Sequence, residues 1–251
     1  MIMLYFSGTG NSKYIAELFC DNTNATCYSI EESNDFDKLI HLEDVIGFCY
    51  PVYMSRVPRI MREFVLKHMS SLKDKKVIIL CTQLLLSGDG ARSFAALFPK
   101  HYVDVIYAEH LFMPNNVNNV FILPGPSEKS IKRSIDKSKR EISVICDNIK
   151  NEILIKRGFN YCSRALGLLQ GVFLSQLEAR ANYSVKIDKS CTKCSVCVKA
   201  CPTKNLELSD DLRITHNHNC TMCYRCINNC PKRAITVAFH GKVRWQYKGI
   251  H

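Results

Sequence analysis

An α/β domain built on a parallel sheet covered on both faces, followed by a smaller cysteine-rich α+β domain, is the architecture this sequence predicts. Three observations carry it. Short apolar runs alternate with helical patterns through the first half of the chain. The length of 251 residues fits two modest domains better than one. Of fourteen cysteines, eight fall between 191 and 230. With 47% hydrophobic and 23% charged residues, the chain has the apolar mass for a core and is neither disordered nor collagen-like.

The elements follow in order. Ile2 to Phe6 is a short apolar strand closed by a Ser-Gly-Thr-Gly turn, and helical periodicity begins at Tyr14, Ile15, Leu18 and Phe19. Thr26 to Ile30 reads as a weaker edge strand. Val45 to Tyr50 is a buried third strand halted by Pro51, and Pro58 suits the first turn of a helix running through Ile60, Met61, Phe64, Val65 and Met69. Val77 to Cys81 is the fourth strand, followed by a Ser87–Gly90 loop and a helix near Ala91–Phe98; Val103 to Tyr107 is the fifth. Five strands interleaved with helices imply a parallel sheet. A charged amphipathic helix from about Ser127 to Ile153 closes the first domain, residues 1–155. Residues 156–185 read as a basic connecting helix, with Phe159, Leu166, Leu169, Phe173 and Leu177 available for packing, and 186–251 as the second domain with a C-terminal tail.

Charge is unevenly divided. Residues 1–152 carry eighteen Lys/Arg and eighteen Asp/Glu, so the whole formal excess of +11 lies in 153–251. Such a block suits an acidic protein, an anionic membrane or nucleic acid, or is simply a solvated face. No nucleic-acid-binding module is recognised, so nucleic acid is not expected as a partner. The N-terminus lacks a basic n-region and its apolar run stops at six residues, unlike a signal peptide. The longest apolar stretch, Val77 to Leu86, is far short of the ~20 residues a membrane span needs. A cytoplasmic location is expected, where clustered cysteines bind metal more often than they form disulfides.

The clustered cysteines form two runs of one spacing: Cys191-x2-Cys194-x2-Cys197-x3-Cys201-Pro202 and Cys220-x2-Cys223-x2-Cys226-x3-Cys230-Pro231. They are the one internal repeat. A zinc ribbon uses paired knuckles in sets of four and would strand half of these thiols. The runs resemble those of bacterial two-cluster ferredoxins, in which thiolates hold 4Fe-4S cubes and the fourth cysteine of each run ligates the other cluster. That resemblance implies one cluster on Cys191, Cys194, Cys197 and Cys230 and another on Cys220, Cys223, Cys226 and Cys201. The other six cysteines are expected to be bystanders; Cys49 and Cys81 sit in buried strands, where free Cys behaves as a small hydrophobe.

Ser7-Gly8-Thr9-Gly10-Asn11-Ser12 follows the first strand and opens the first helix. Glycines let backbone N–H groups turn inward, hydroxyls add donors, and the helix N-terminus favours an anion, so a phosphate monoester suits this loop. It is neither a Walker loop nor a Rossmann fingerprint, since Lys13 stands at the third glycine position. The loop resembles the FMN phosphate loop of flavodoxins. With the Tyr50-Pro51-Val52-Tyr53 loop and the Thr82–Gly90 loop, residues 1–150 are similar to a flavodoxin-like domain with sheet order 2-1-3-4-5, and the whole chain resembles clostridial-type fusions of a flavodoxin domain to a two-cluster ferredoxin domain. The resemblance implies that Ser7, Gly8, Thr9, Gly10, Asn11 and Ser12 hold the FMN phosphate, that Pro51, Val52 and Tyr53 border the flavin ring, and that Thr82, Gln83 and Gly88 contact it from the next loop. Met113, Pro114 and Asn115 form a further wall or a plain turn. The lone Trp245 lies in the tail, not in a ring-flanking loop.

The function expected is electron transfer: FMN takes two electrons, each 4Fe-4S cube passes one, and a redox protein partner, acidic by charge complementarity, completes the path. The alternative is an FMN-dependent oxidoreductase using NAD(P)H or a small acceptor, with the clusters as internal wiring. No nicotinamide-binding fingerprint and no acid–base constellation favours it.

Overall fold

The computed structural model describes residues 1–85, 87–120, 122–211 and 213–250; Leu86, where the longest apolar stretch ends, lies outside them, as do Phe121, Leu212 and His251. The first part alternates strand and helix: β1 Ile2–Tyr5, α1 Asn11–Thr23, β2 Thr26–Ser29, α2 Phe36–His41, β3 Val45–Pro51, α3 Arg59–Lys67, β4 Lys76–Gln83, α4 Gly90–Ala95, β5 Asp104–Phe112, α5 Glu128–Lys150 and β6 Ile155–Lys156. All pairings are parallel, in the order β2-β1-β3-β4-β5-β6. This is the flavodoxin-like sheet with one strand more than expected.

Period-two alternation divides the core between the two faces of the sheet. Leu4, Phe48 and Ile79 face α3 and α4, packing with Met61, Phe64 and Phe94. Met3, Cys49 and Leu80 face the other side, where α1 and α5 contribute Ile15, Phe19, Ile142 and Ile145. Both faces are buried, which is why β3 and β4 read as unbroken apolar runs.

Three expectations need correction. β6 adds a two-residue edge against Tyr107 and Ala108, carrying the sheet to Lys156, and it is too short for any periodicity to reveal. The six-residue α2 was also unread; Asp35 caps it, accepting from Lys38 N at 3.1 Å. β5 continues to Phe112, five residues beyond the expected strand.

The connecting segment is a 23-residue helix, α6 Tyr161–Tyr183, capped by Asn160, which accepts from Ser163 N at 2.8 Å. Its packing differs from the expectation of large apolar anchors. Leu169 and Phe173 are 64% and 54% exposed, and the buried positions are Gly167, Leu174 and Ala181. The reason is close approach to charged groups: a Cβ on Gly167 would stand 1.7 Å from Asp89 Oδ1, and one on Gly171 would stand 2.3 Å from Arg56 Nη2. Asp89 is fully buried and is paired with Arg56 (2.9 Å) and Arg92 (2.9 Å). Only the larger Leu177 and Phe159 pack as expected, on opposite cores.

The second part holds β7 Val185–Ile187, α7 Val196–Ala200, β8 Leu206–Leu208, β9 Ile214–His216, α8 Arg225–Asn229 and β10 Ile235–Val237. β7 pairs with β10 and β8 with β9, both antiparallel. The repeat is structural as well as sequential. Lys193, Ser195 and Lys204 take left-handed backbone angles, and so do Met222, Tyr224 and Arg233, each 29 positions on.

Candidate flavin and cluster sites

The loop between β1 and α1 is built by short local bonds. Ser7 Oγ accepts from Gly10 N at 3.1 Å, and Gly10 O accepts from Tyr14 N at 2.9 Å, starting the helix. Gly10 has φ +103°, open to glycine at little cost, and a Cβ there would stand 3.3 Å from Gly249 in the tail. A Cβ on Gly8 would stand 2.3 Å from the carbonyl oxygen of Cys223. The anion-type loop of the first domain therefore rests directly on the second cysteine run.

Beside this loop lies a cavity of about 420 Å³, open to solvent and within the ~300–1,000 Å³ usual for small-molecule sites. Ser7, Gly8, Thr9, Asn11 and Ser12 line one end; Pro51, Val52, Tyr53, Thr82 and Gln83 line its middle, with Met113 and Pro114 opposite. Gly10 and Gly88 are not on the wall. Gly88 instead packs on α6, where a Cβ would stand 2.4 Å from Gly167 N. Asn115 is turned away, donating to Pro124 O at 2.9 Å. Trp245 is also elsewhere, its ring packed on Gly125.

Several expected side chains already have partners. Asn11 donates to Pro114 O (2.9 Å) and accepts from Tyr247 Oη (2.6 Å); Thr9 Oγ1 accepts from Asn116 Nδ2 (3.0 Å); Ser12 and Thr82 share a hydroxyl bond of 2.7 Å. These contacts hold the loop's shape and leave first-turn backbone N–H groups of α1 as the natural anion donors. Behind the wall, His110 Nδ1 meets Ser87 Oγ at 3.2 Å, its Nε2 accepts from Ala91 N at 3.2 Å, and Ser87 in turn bonds the Gln83 carboxamide oxygen. Burial, reinforced by the charge of Arg157, lowers the His110 pKa to about 4, so this chain is neutral.

The remaining wall comes from residues that no local pattern marked: Gln170, Leu174 and Leu177 of α6, and Met222, Tyr224 and Phe239 of the cysteine-rich part. Among the described residues no Lys, Arg, Asp, Glu or His lines the cavity.

The eight clustered thiols separate into two cavities. Cys191, Cys194, Cys197 and Cys230 line one, and Cys201, Cys220, Cys223 and Cys226 line the other, each of about 20 Å³. No three Cys, His, Asp or Glu side chains converge on a single-ion point among the described residues. The four thiols of each set instead surround a volume, as a cube requires. Backbone donors already address the sulfurs in matching fashion: Lys193 N to Cys191 and Met222 N to Cys220, both 3.4 Å, and Asn205 N to Cys201 and Ala234 N to Cys230, both 3.2 Å. Burial pushes the Cys220 thiol up to about 11 and Cys223 up to about 12, so charge on these sulfurs calls for a bound cation.

The two sets are unequal in position. Met222 and Tyr224 line both the large cavity and the Cys220 set, so that set is proximal to the cavity. The other is distal and includes the exposed Cys194. Arg225 locks this arrangement, donating to Ser7 O (2.7 Å), Gly8 O (3.1 Å), Ala200 O (3.2 Å) and both oxygens of Glu31 (2.7 and 2.8 Å). A belt of asparagines adds to it. Asn118 donates to Asn228 Oδ1 (3.0 Å) and Asn228 to Asn116 O (2.9 Å), while Asn119 donates to Val237 O (3.2 Å). Four asparagines in the five residues 115–119 were the signal that a polar interface, not a plain turn, lay there.

Comparison with known proteins agrees with this division. A family model described as a flavodoxin domain matches residues 2–120, and one described as a 4Fe-4S dicluster domain matches residues 181–235. Among solved structures, a WrbA-like flavodoxin from Agrobacterium tumefaciens is 17% identical over 60% of this chain and 97% of its own (TM-score 0.41). General stress protein 14 of Treponema denticola, solved in complex with FMN, is 14% identical over 59% and 97% (TM-score 0.43). Two-electron reduced Megasphaera elsdenii flavodoxin is 19% identical over 56% and 99% (TM-score 0.38). No curated protein matches the chain. No helix among the described residues is long and apolar enough to cross a membrane. The chain is a flavodoxin domain followed by a 4Fe-4S dicluster domain, an electron-transfer architecture.

Proposed function

We propose that this protein is an intracellular electron carrier that relays electrons between FMN in its first domain and two 4Fe-4S clusters in its second, and onward to an acidic redox protein. FMN supplies a two-electron centre and each cube a one-electron centre, so the set can split an electron pair or gather single electrons into one. Ser7 to Ser12 would hold the FMN phosphate through backbone N–H groups and hydroxyls, and Pro51, Val52, Tyr53, Thr82 and Gln83 would border the ring. Cys201, Cys220, Cys223 and Cys226 would hold the proximal cluster; Cys191, Cys194, Cys197 and Cys230 the distal one. Residues 1–155, 156–185 and 186–251 would serve as flavin domain, rigid connector and cluster domain.

The observation that carries the proposal is the shared wall. Met222 and Tyr224 separate the large cavity from the proximal thiols with no solvent layer required between them. The exposed Lys189, Lys193 and Lys232 flank the distal cysteines, and Lys232 lines their cavity, giving an acidic partner a docking face beside the outermost cluster.

Anaerobic purification with iron, sulfide and flavin analysis is the direct test. About eight irons and one FMN per chain are expected, and an iron content near four, zinc in place of iron, or FAD would refute the reading. Steady NAD(P)H oxidation without a partner would move the assignment to the reductase. Partner reduction should slow as ionic strength rises, because the Debye length contracts from ~10 Å at 0.1 M to ~3 Å at 1 M; a salt-insensitive rate would remove the basic docking face.

A further inference from the structure

The Tyr53 hydroxyl is buried and has no hydrogen-bond partner among the described residues. Its position is not accidental slack in a loop. Tyr53 and Arg56 exchange backbone bonds of 3.0 and 2.9 Å, closing a two-residue turn in which Met54 and Ser55 have φ of 46° and 63°. Two left-handed central residues define a turn that Asn-Gly adopts readily and Met-Ser adopts only when the surroundings enforce it. They do so here: Ser55 Oγ accepts from Gly88 N and bonds Gln170 of α6, and Arg56 is paired with the buried Asp89.

The turn aims the ring two ways. Tyr53 lines the large cavity, and it also packs against the core of the cluster domain, which holds Met222 and Tyr224 and against which Cys220 and Cys226 pack as well. The ionisable groups around its hydroxyl are Cys223, Arg225, Cys220 and Tyr224. Arg225 is already spent on Glu31 and three carbonyls. A desolvated hydroxyl left unpaired is costly, and phenylalanine of the same shape would avoid that cost. What would satisfy it is an acceptor that arrives with the cluster: thiolate or sulfide sulfur.

We propose that the Tyr53 hydroxyl donates a hydrogen bond to a sulfur of the proximal cluster while its ring walls the flavin cavity, so that one side chain touches both cofactor sites and raises the proximal cluster's reduction potential. The inference rests on the two-cluster reading above. Its sign follows from electrostatics: reduction adds negative charge to the cube, and a donor to sulfur stabilises the more negative state.

The test is Tyr53→Phe in the full chain, loaded anaerobically and titrated with potential under electron paramagnetic resonance. The substitution removes no hydrogen bond within the protein, so folding and an iron content of about eight should be retained. One cluster should become at least threefold harder to reduce, about 28 mV at 59 mV per tenfold for one electron, with the other cluster unmoved. Full iron with both cluster potentials unchanged overturns the proposal. So does a shift confined to the flavin, which would place the hydroxyl on FMN. An iron content near four in the unsubstituted protein overturns the two-cluster reading itself, and is read from a separate sample.

Discussion

Gly8→Ala isolates the contact between the phosphate-type loop and the second cysteine run, because Gly8 does not need the left-handed backbone that Gly10 does. An added methyl would sit 2.3 Å from Cys223 O, where real Cβ contacts stay beyond 3.0 Å, so loop and run must part by about 0.7 Å. Both neighbours are backbone, and neither can rotate aside. The same displacement would stretch the Arg225 bond to Ser7 O from 2.7 Å past the ~3.2 Å limit of a sound N–H···O bond. Overpacking costs ~1–3 kcal/mol and a weakened charge-assisted bond up to ~1.5–3 kcal/mol, giving a loss of up to about 6 kcal/mol at the domain interface. No thiol is touched, so iron content should hold while flavin affinity falls at least tenfold, which needs only ~1.4 kcal/mol of that loss to reach the cavity. Flavin fluorescence titration and denaturant unfolding of the iron-loaded chain read the two effects separately. Parental FMN affinity together with parental stability would refute the reasoning.

Two further outcomes follow from buried charge. Asp89→Asn removes the carboxylate that pairs Arg56 and Arg92 beneath α6; each arginine is about a quarter exposed and recovers some hydration, so the loss should fall near ~3 kcal/mol, at the low end for broken buried pairs, measured by denaturant unfolding. His110 is held neutral by burial down to about pH 4, whereas in the unfolded chain it takes a proton near 6.5. The unfolded state thus binds more protons between those values, and stability falls as pH drops from 6.5 to 4, by up to ~3 kcal/mol. His110→Gln should flatten that limb of the stability profile, and an unaltered limb would assign acid sensitivity to other groups.

How far the molecule was legible depended on whether a feature was local. Strands β1, β3 and β4 announced themselves because burial on both faces forces unbroken apolar runs. The cysteine runs were legible because ligand spacing is set by the cofactor's own size. The cavity walls were half legible. Pro51, Val52, Tyr53, Thr82 and Gln83 stand at strand ends, where a doubly wound sheet opens its crevice. Met222, Tyr224, Leu174 and Leu177 reach the cavity only by tertiary placement, and nothing in their neighbours marks them. Gly10 and Gly88 show the converse. Both occupy turns that suit a ligand's approach, yet the atoms that approach are Gly249 and Gly167 of the chain itself.

Two glycines of α6, Gly167 and Gly171, bear on how the domains are joined. Were α6 a tether, its inner face would carry exchangeable apolar residues and the interface would be wet and shallow. Instead Gly167 and Gly171 admit Asp89 and Arg56 at distances that leave no room for a methyl group. Arg225, the Asn118–Asn228 pair and the Tyr247–Asn11 bond then fix the same two domains at three places well away from the connector. Each such hydrogen bond contributes a net ~0.5–1.5 kcal/mol against separation, and those to the Arg225 cation ~1.5–3 kcal/mol. The wall between the large cavity and the proximal cysteines, to which Met222 and Tyr224 belong, is thereby held by contacts from both domains.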